Sequence, residues 1–324
     1  MTDVYDRKTR EILNDMVDAK IKRLWFSNYE ENKEIIRLHG GWEQIPIQKS
    51  FIVVGAGWSL DKNLWKLKGV DVPVIACDKT AWKVAKFVKP FAVTALNTEK
   101  TKIKEWITKF KQVCTEQGHD MNDIWLIVPV TVNPELFEVW SGDKIAFVNP
   151  VNTCDEFACL VEKEMEIHAT QRGTNVGMFS ILMAFSLGAE QIVLLGINYC
   201  YLTKKEAETA NRGFGYVAIK DINNDNSFDE DGKGYVYTTL EWIDMRTELI
   251  NYAQDWLNET RIINCSEGGI IYEQGVIEPA DFGAWKTFLK GDRIEHIERA
   301  EKPSDSGTAE GGLGEELPNE QGED

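Results

Sequence analysis

Basic residues are scarce in this chain relative to acidic ones. Its 324 residues include 36 Lys and Arg against 53 Asp and Glu, which gives a formal net charge of −17. Sequence-independent binding of nucleic acid needs a cationic surface, and so does adhesion to anionic lipid headgroups. The composition therefore argues against a nucleic-acid or membrane partner, although one small basic pocket for a phosphate group is still compatible with it.

Long apolar runs and paired cysteines are also lacking. No uninterrupted apolar stretch reaches the roughly 20 residues that span a bilayer, and the N-terminal residues are mostly polar and charged, unlike a signal peptide. None of the six cysteines belongs to a C-x-x-C pair, which argues against a zinc site or a disulfide framework. We expect a soluble, cytoplasmic protein with reduced thiols.

Composition divides the chain into three predicted parts. Residues 1–49 carry apolar residues at helical spacing, which indicates an N-terminal helical extension that packs on the core or on another subunit, so a homo-oligomer is open. Residues 50–290 form the main domain, with a polar interval at about 203–236 that is typical of a lid. Residues 301–324 are acidic, Gly-rich and without aromatic residues, so we expect a disordered tail.

Short apolar runs alternate with helical patterns across the main domain. Continuous apolar strands between helices predict an α/β fold with a largely parallel sheet covered by helices on both faces. Ligands of such sheets bind at the carboxyl ends of the strands. The runs predict strands at 50–54, 72–76, 91–96, 124–128, 145–148, 191–195 and a last one at 261–264, with helices at 177–187 and 238–257.

The first candidate site is the turn Gly55-Ala56-Gly57-Trp58-Ser59-Leu60, which follows the predicted strand at 50–54. Glycines let a backbone approach a ligand closely, and the N–H groups at the start of a helix bind phosphate. Leu60 stands where the dinucleotide fingerprint has its third glycine, which disfavours an NAD site. Phosphate binding and a purely structural tight turn both remain open. Trp58 is placed to stack on a base or a sugar ring.

A second Gly-rich segment, Gly173-Thr174-Asn175-Val176-Gly177, leads into the predicted helix at 177–187. Thr174 or Asn175 is a candidate N-cap, and the helix start again offers N–H donors to an anion. An ordinary capped helix explains most of these residues. It does not explain why a second Gly-rich helix start belongs to the same sheet.

Oxygen-bearing side chains alternate in the polar interval, at Asp221, Asn223, Asp225 and Asp229. This spacing is similar to the beginning of a calcium loop, but the glycine of the sharp turn and the bidentate Glu of that loop are both missing. We expect either a solvated turn or a lid whose carboxylates hold Mg²⁺ on a diphosphate.

The order of these motifs resembles the MptE-like family, which comprises archaeal 6-hydroxymethylpterin diphosphokinases and motility accessory factors implicated in flagellin glycosylation. It is also distantly similar to bacterial sialyltransferases with a Rossmann-like fold. The first turn of that superfamily reads G-x-G-P-S-L, and here Trp58 replaces the proline. The resemblance covers about residues 51–278 and rests on Gly55–Leu60, Asp78, Asn97, Gly173–Gly177, Gly196-Ile197-Asn198-Tyr199 and Glu267-Gly268-Gly269.

The resemblance implies a Rossmann-like domain and a transferase with an activated nucleotide donor. It implies catalytic roles for Asp78 and Asn198. Asp78 or Asn97 would also contact the ribose or the base. Nucleotide and phosphate binding is implied for Gly55, Gly57, Ser59, Asn97, Thr174, Asn175, Gly177, Glu267 and Gly268.

Three functions are compatible with that resemblance. The leading one is Mg²⁺-assisted diphosphoryl transfer from ATP to a hydroxymethylpterin-like acceptor. The alternatives are a glycosyltransferase that moves a nonulosonic-acid sugar from a CMP donor to a protein or glycan, and an inactive nucleotide-binding scaffold. None of the four histidines lies in the lid interval, where the similar sialyltransferases carry a general base. This absence and the many acids favour the diphosphokinase.

Overall fold

The computed structural model of this chain describes residues 7–96, 103–150, 155–170, 173, 175–210, 217–220 and 235–290. The helices of these residues are α1 (Arg7–His39), α2 (Leu60–Asn63), α3 (Ala81–Val84), α4 (Ile103–Gln117), α5 (Glu135–Val139), α6 (Asp155–Met165), α7 (Val176–Ser186), α8 (Lys204–Ala210), α9 (Leu240–Asp255) and α10 (Phe282–Lys290). The strands are β1 (Ser50–Val54), β2 (Val74–Cys77), β3 (Ala92–Thr94), β4 (Trp125–Pro129), β5 (Ile145–Pro150), β6 (Ala169–Thr170), β7 (Gln191–Leu195), β8 (Val217–Lys220), β9 (Tyr235–Thr238), β10 (Arg261–Asn264) and β11 (Ile277–Pro279).

The described residues form a nine-stranded sheet in the order β11-β10-β7-β1-β2-β3-β4-β5-β6. Every pairing in it is parallel, as the continuous apolar strands predict. The chain runs outward from β1 to β6 on one side and then returns to place β7 on the other side of β1. The strand order therefore reverses between β1 and β7, and a crevice opens where their carboxyl ends diverge.

Helices cover both faces of the sheet, which confirms the predicted α/β, Rossmann-like fold. Alternate strand residues enter two separate buried clusters because successive side chains of a strand point to opposite faces. Ile52 and Val54 pack in the same cluster as α4 residues such as Phe110. Phe51 and Val53 pack in the cluster that contains the apolar side chains of α7 and α9. This burial on both faces makes β1 and β7 a rigid support for the loops at their carboxyl ends.

Helix α1 packs on the sheet through its C-terminal half. The Asn28 side chain donates to the Thr131 carbonyl oxygen at 2.9 Å, and that of Asn32 donates to the carbonyl oxygens of Val130 and Val132 at 3.1 and 2.8 Å. The predicted N-terminal helix therefore contacts the core directly. No helix in the described part of the chain combines the length and the hydropathy needed to cross a bilayer.

The structure adds elements that the sequence did not predict, in the polar interval and near the C-terminus. The interval was predicted as a lid without assigned elements, and its described part holds α8 and the antiparallel pair β8–β9. Strand β11 follows the strand expected to be last, and it was not predicted because three residues ending in Pro279 carry no apolar pattern. The proposed acidic tail lies outside the described residues.

Candidate functional site

A cleft of about 830 Å³ lies at the carboxyl ends of β1 and β7, where the strand order reverses. We call it the switch-point cleft. Part of its lining comes from the loops after β1 and β7 and from the start of α7. A second part, which we call the lid wall, consists of Tyr201, Thr203, Lys205, Glu206, Thr209 and Trp242.

The turn after β1 is joined to the loop after β7 along its backbone. The amide of Gly55 donates to the Leu195 carbonyl oxygen at 2.8 Å, and the amide of Gly57 donates to that of Gly196 at 2.6 Å. A Cβ atom at Gly55 would lie 2.7 Å from the Gly196 oxygen, and one at Gly57 would lie 2.0 Å from the Asn198 Oδ1 atom. These glycines are therefore required by contact between two protein segments, which favours the structural interpretation of the turn.

Asn198 fastens this turn to a third loop. Its Oδ1 atom accepts a hydrogen bond from the Ser59 hydroxyl at 2.9 Å, and its Nδ2 atom donates to the Gly268 carbonyl oxygen at 2.7 Å. Ser59 and Asn198 are both buried. Their polar atoms thus position the cleft, since they are already satisfied by each other and by the protein backbone.

The start of α7 has two amides without an acceptor in the described part of the chain. The Asn175 side chain caps the helix by accepting from the Met178 amide at 3.0 Å, as predicted for an N-cap. Among the described residues, no acceptor meets the amides of Val176 and Gly177. These two residues line the cleft. Because the first N–H groups of a helix lack partners within the helix, they are available to an anion.

Two further residues with unpaired amides come from the turn after β1. The N–H groups of Gly55 and Gly57 donate to the carbonyl oxygens of Leu195 and Gly196. The amides of Ala56 and Trp58, which alternate with them, have no acceptor within the described parts of the chain, and both residues line the cleft. Helix α2 has only four residues, so its macrodipole is small. The unpaired amides of these lining residues therefore belong to the turn itself and to the start of α7.

The lid wall is attached to the β8–β9 pair. Tyr201 and Tyr237 exchange backbone hydrogen bonds of 2.7 and 2.9 Å, and the Thr238 hydroxyl donates to the Tyr199 carbonyl oxygen at 2.7 Å. The rings of Tyr201 and Trp242 lie 4.6 Å apart. Together with Trp58, they give the cleft aromatic walls that suit a planar ring or a sugar.

Two weakly acidic groups of the cleft are protonated at neutral pH. Burial raises the pKa of the Cys77 thiol to about 12 and also raises the pKa of the Tyr199 hydroxyl above its usual range. Tyr199 accepts a hydrogen bond from the Asn175 Nδ2 atom at 3.1 Å. Since a thiolate is the reactive form of cysteine, we assign Cys77 no nucleophilic role.

The sequence-predicted residues separate into three groups. Those that line the cleft are Gly55, Gly57, Asn175, Gly177 and Asn198. Those that are described but do not line it are Ser59, Asp78, Glu267 and Gly268. Those that lie outside the described residues are Asn97, Thr174, Asp221, Asn223, Asp225 and Asp229.

The predicted carboxylates Asp78 and Glu267 have protein partners. Asp78 is buried at the end of β2 and accepts the Lys79 amide at 2.6 Å. Glu267 pairs with the Lys66 ammonium at 3.1 Å. These contacts give both carboxylates a positioning role in the loops around the cleft, and their proposed catalytic and nucleotide contacts stay predictions.

The sequence predicted a lid at about 203–236, and Thr203, Lys205, Glu206 and Thr209 of the lid wall lie within that interval, whereas Tyr201 and Trp242 were not singled out. The start of α8 also has a signal in the sequence, because Thr203 and Glu206 stand at the spacing of a capping box. Their reciprocal hydrogen bonds begin α8: Thr203 N donates to Glu206 Oε2 and Glu206 N donates to Thr203 Oγ1, both at 3.2 Å. Trp242 lies 41 positions along the chain from Tyr201, and only folding reveals their contact.

The described part of the cleft does not fit a divalent metal. Glu206 is the carboxylate among the described lining residues, and the described residues contain no group of three His, Cys, Asp or Glu side chains that could hold an ion. Mg²⁺ in proteins is usually bound through carboxylates together with the phosphates of the substrate. The four metal ligands predicted from sequence lie outside the described residues, so we derive no step through a metal.

Comparison with known proteins places the fold. No curated protein matches the sequence. A glycosyltransferase structure from Magnetospirillum magneticum AMB-1, called MAf, superposes with a TM-score of 0.55 at 15% identity and covers 82% of this chain. This chain spans only 38% of that protein. The sialyltransferase CstII from Campylobacter jejuni in complex with cytidine-5′-monophosphate has a TM-score of 0.40 at 13% identity, covering 73% of this chain and 86% of its own.

The monofunctional α-2,3-sialyltransferase Cst-I from the same organism has a TM-score of 0.36 at 14% identity and covers 68% of this chain and 78% of its own. The likeness to the MAf structure, at 15% identity, shows a common fold only. The sequence itself matches a family model described as "6-hydroxymethylpterin diphosphokinase MptE-like" over residues 24–204, which is more than half of the chain. The chain therefore belongs to the MptE-like family.

Proposed function

We propose that this protein is a nucleotide-dependent transferase and that the switch-point cleft holds the phosphate of its donor. The observation that carries the proposal is that one cleft is lined by residues of two elements whose amides have no acceptor in the described part of the chain: Ala56 and Trp58 after β1, and Val176 and Gly177 at the start of α7. Preorganised N–H groups of this kind stabilise the negative charge that develops on a leaving phosphate. Family membership and the position of the cleft support the same assignment.

The charge of the cleft favours a donor with one phosphate group. Among the described residues that line the cleft, Lys205 alone is basic, and the neighbouring Glu206 offsets its positive charge. A nucleoside triphosphate carries about four negative charges at neutral pH and needs strong neutralisation. A CMP-activated nonulosonic acid carries only one phosphate and one carboxylate. We therefore favour the glycosyltransferase alternative over the diphosphokinase that the sequence alone favours.

Diphosphoryl transfer from ATP to a hydroxymethylpterin is the second candidate. The family description names this activity, and the acid-rich residues between Asp221 and Asp231 would supply carboxylates for Mg²⁺. Trp58, Tyr201 and Trp242 would then enclose a pterin ring as readily as a sugar. An inactive nucleotide-binding scaffold would share the cleft but not the turnover.

Thermal unfolding with CMP, CMP-N-acetylneuraminate and ATP, each with and without Mg²⁺, tests the proposal. A ligand at 100 times its Kd adds about 2.7 kcal/mol to the free energy of unfolding. We expect a metal-independent increase with both cytidine ligands. An increase only with ATP and Mg²⁺ would favour the diphosphokinase, and no increase with any nucleotide would refute nucleotide binding.

Replacing Lys205 should weaken donor binding. Lys205 lines the cleft and has no acidic partner in the described residues, so its ammonium is available to the donor phosphate. A hydrogen bond to a charged group contributes roughly 1.5 kcal/mol or more, so Lys205→Met should raise the Kd for CMP about tenfold in calorimetry. Lys204→Met is the matched control, because Lys204 pairs with Glu208 at 3.9 Å and does not line the cleft. Equal affinities of the two variants would contradict the assignment.

A further inference from the structure

We infer that Glu206 is the general base that removes the proton from the acceptor hydroxyl. This inference rests on the proposed transferase function but holds for either donor, since both reactions need a hydroxyl nucleophile. Among the described residues that line the switch-point cleft, Glu206 alone carries a carboxylate. It belongs to the lid wall, whereas the unpaired amides belong to the turn after β1 and the start of α7, so the carboxylate and the proposed phosphate site are carried by different elements of one cleft.

Helix α8 turns one face toward the cleft. Lys205, Glu206 and Thr209 all line it. Thr209 is four positions from Lys205 and three from Glu206, which is the spacing of neighbours on a helix surface. Ala207 is buried, and α8 contacts β9. Glu208 pairs with Lys204 and does not line the cleft. The direction of Glu206 is thus set by the packing of a short helix rather than by a loose loop.

The Glu206 carboxylate is oriented by one contact and available at its other oxygen. Its Oε2 atom accepts from the Thr203 amide at 3.2 Å. Its Oε1 atom has no hydrogen-bond donor in the described parts of the chain. A carboxylate held at one oxygen keeps lone pairs on the other for a proton, which is the arrangement that a general base needs.

The other titratable groups of the described cleft are poorer bases. Burial raises the pKa values of Cys77 and Tyr199, so both stay protonated, and burial likewise raises the pKa of Tyr201. Lys205 is a cation with no lone pair to offer. No described histidine lines the cleft. Cys200 is buried, and its sulfur accepts a hydrogen bond from the Trp58 indole N–H group at 3.5 Å.

The step balances without a further reagent. The acceptor hydroxyl gives its proton to Glu206 while its oxygen forms a bond to the electrophilic centre of the donor. The bond from that centre to the nucleotide phosphate oxygen breaks, and its electron pair leaves with the nucleotide. The phosphate charge is received by the amides at the start of α7 and after β1, and Glu206 later releases the proton to water.

Glu206→Gln tests the base with little risk to the fold. Glutamine serves a capping box as well as glutamate does, so α8 should keep its start while losing the base. Glu208→Gln is the matched control on the same helix. We measure release of CMP from CMP-N-acetylneuraminate with water or an added galactoside as acceptor, release of AMP from ATP with hydroxymethylpterin, and the Kd for CMP.

We expect Glu206→Gln to lower kcat by about 10²- to 10⁴-fold and to leave the Kd for CMP within twofold, with Glu208→Gln like the unaltered protein. Formate should restore activity to Glu206→Ala, because a small carboxylate can enter the space of the lost side chain. Full activity of Glu206→Gln, or loss of CMP binding together with activity, would overturn the assignment of Glu206 as the general base but not the proposed transferase function. Nucleotide binding without any transfer by the unaltered protein would overturn the proposed function as well.

Discussion

Gly57→Ala is expected to disrupt the switch-point cleft more than any other single methyl group. The new Cβ atom would lie 2.0 Å from the Asn198 Oδ1 atom and 2.6 Å from the Gly196 carbonyl oxygen. Contacts under 3 Å with a backbone atom force the two loops apart, and overpacking of this severity costs roughly 3 kcal/mol or more. We expect a melting temperature lower by at least about 5 °C and a Kd for CMP raised more than tenfold.

Gly69→Ala separates collision from the general effect of replacing a glycine. Gly69 has a φ of 68°, which costs a residue with a side chain roughly 1–2 kcal/mol. A Cβ atom there meets nothing within 4 Å. We expect a small loss of stability and an unchanged Kd. If Gly57→Ala bound CMP as tightly as Gly69→Ala, the close joining of the two loops would not be needed for the site.

Asn198→Ala is expected to have the second largest effect. Asn198 is 1% exposed, and its removal leaves the Ser59 hydroxyl and the Gly268 carbonyl oxygen buried without their partner. Each such orphaned group costs about 1–3 kcal/mol, so we expect the free energy of unfolding in urea to fall by roughly 2–4 kcal/mol. The loops after β1 and β10 would separate, and CMP binding should weaken at least tenfold.

Asn149→Ala is the matched control for this experiment. Asn149 is also buried, and its Nδ2 atom donates two hydrogen bonds, to the Ala158 and Ile167 carbonyl oxygens at 2.9 and 3.1 Å. It lies on β5, away from the cleft residues. Its removal should lower stability to a similar degree and leave CMP binding to the folded protein intact. Similar binding by the two variants would reduce Asn198 to a general stabilising role.

The central part of the fold could be predicted from the sequence because its strands are apolar on both faces. Strands β1, β7 and β10 lie at the predicted residues, and Asn175 begins α7 as an N-cap of its type should. Parallel strands with covered faces then place any ligand at their carboxyl ends. The location of the cleft thus follows from strand pattern and connectivity alone.

The roles of individual residues in the cleft could not be predicted, because they depend on partners distant in the sequence. Ser59 reads as a phosphate ligand in its own motif, yet its hydroxyl contacts Asn198, 139 positions away. Gly57 reads as a place for a ligand, yet the nearest atoms belong to Asn198. The lid wall shows the same limit, since Tyr201 and Trp242 are in contact although they stand 41 positions apart in the sequence.

The most direct test of the account is to record backbone amide chemical shifts by NMR during titration with CMP. We predict that the amide chemical shifts of Ala56, Trp58, Val176 and Gly177 change most, because these amides receive the phosphate. The chemical shifts of amides at the opposite edge of the sheet, where the strands begin, such as those of Lys89 and Lys144, should not change. Shifts confined to that opposite edge, or no shifts at saturating CMP, would contradict phosphate binding in the switch-point cleft.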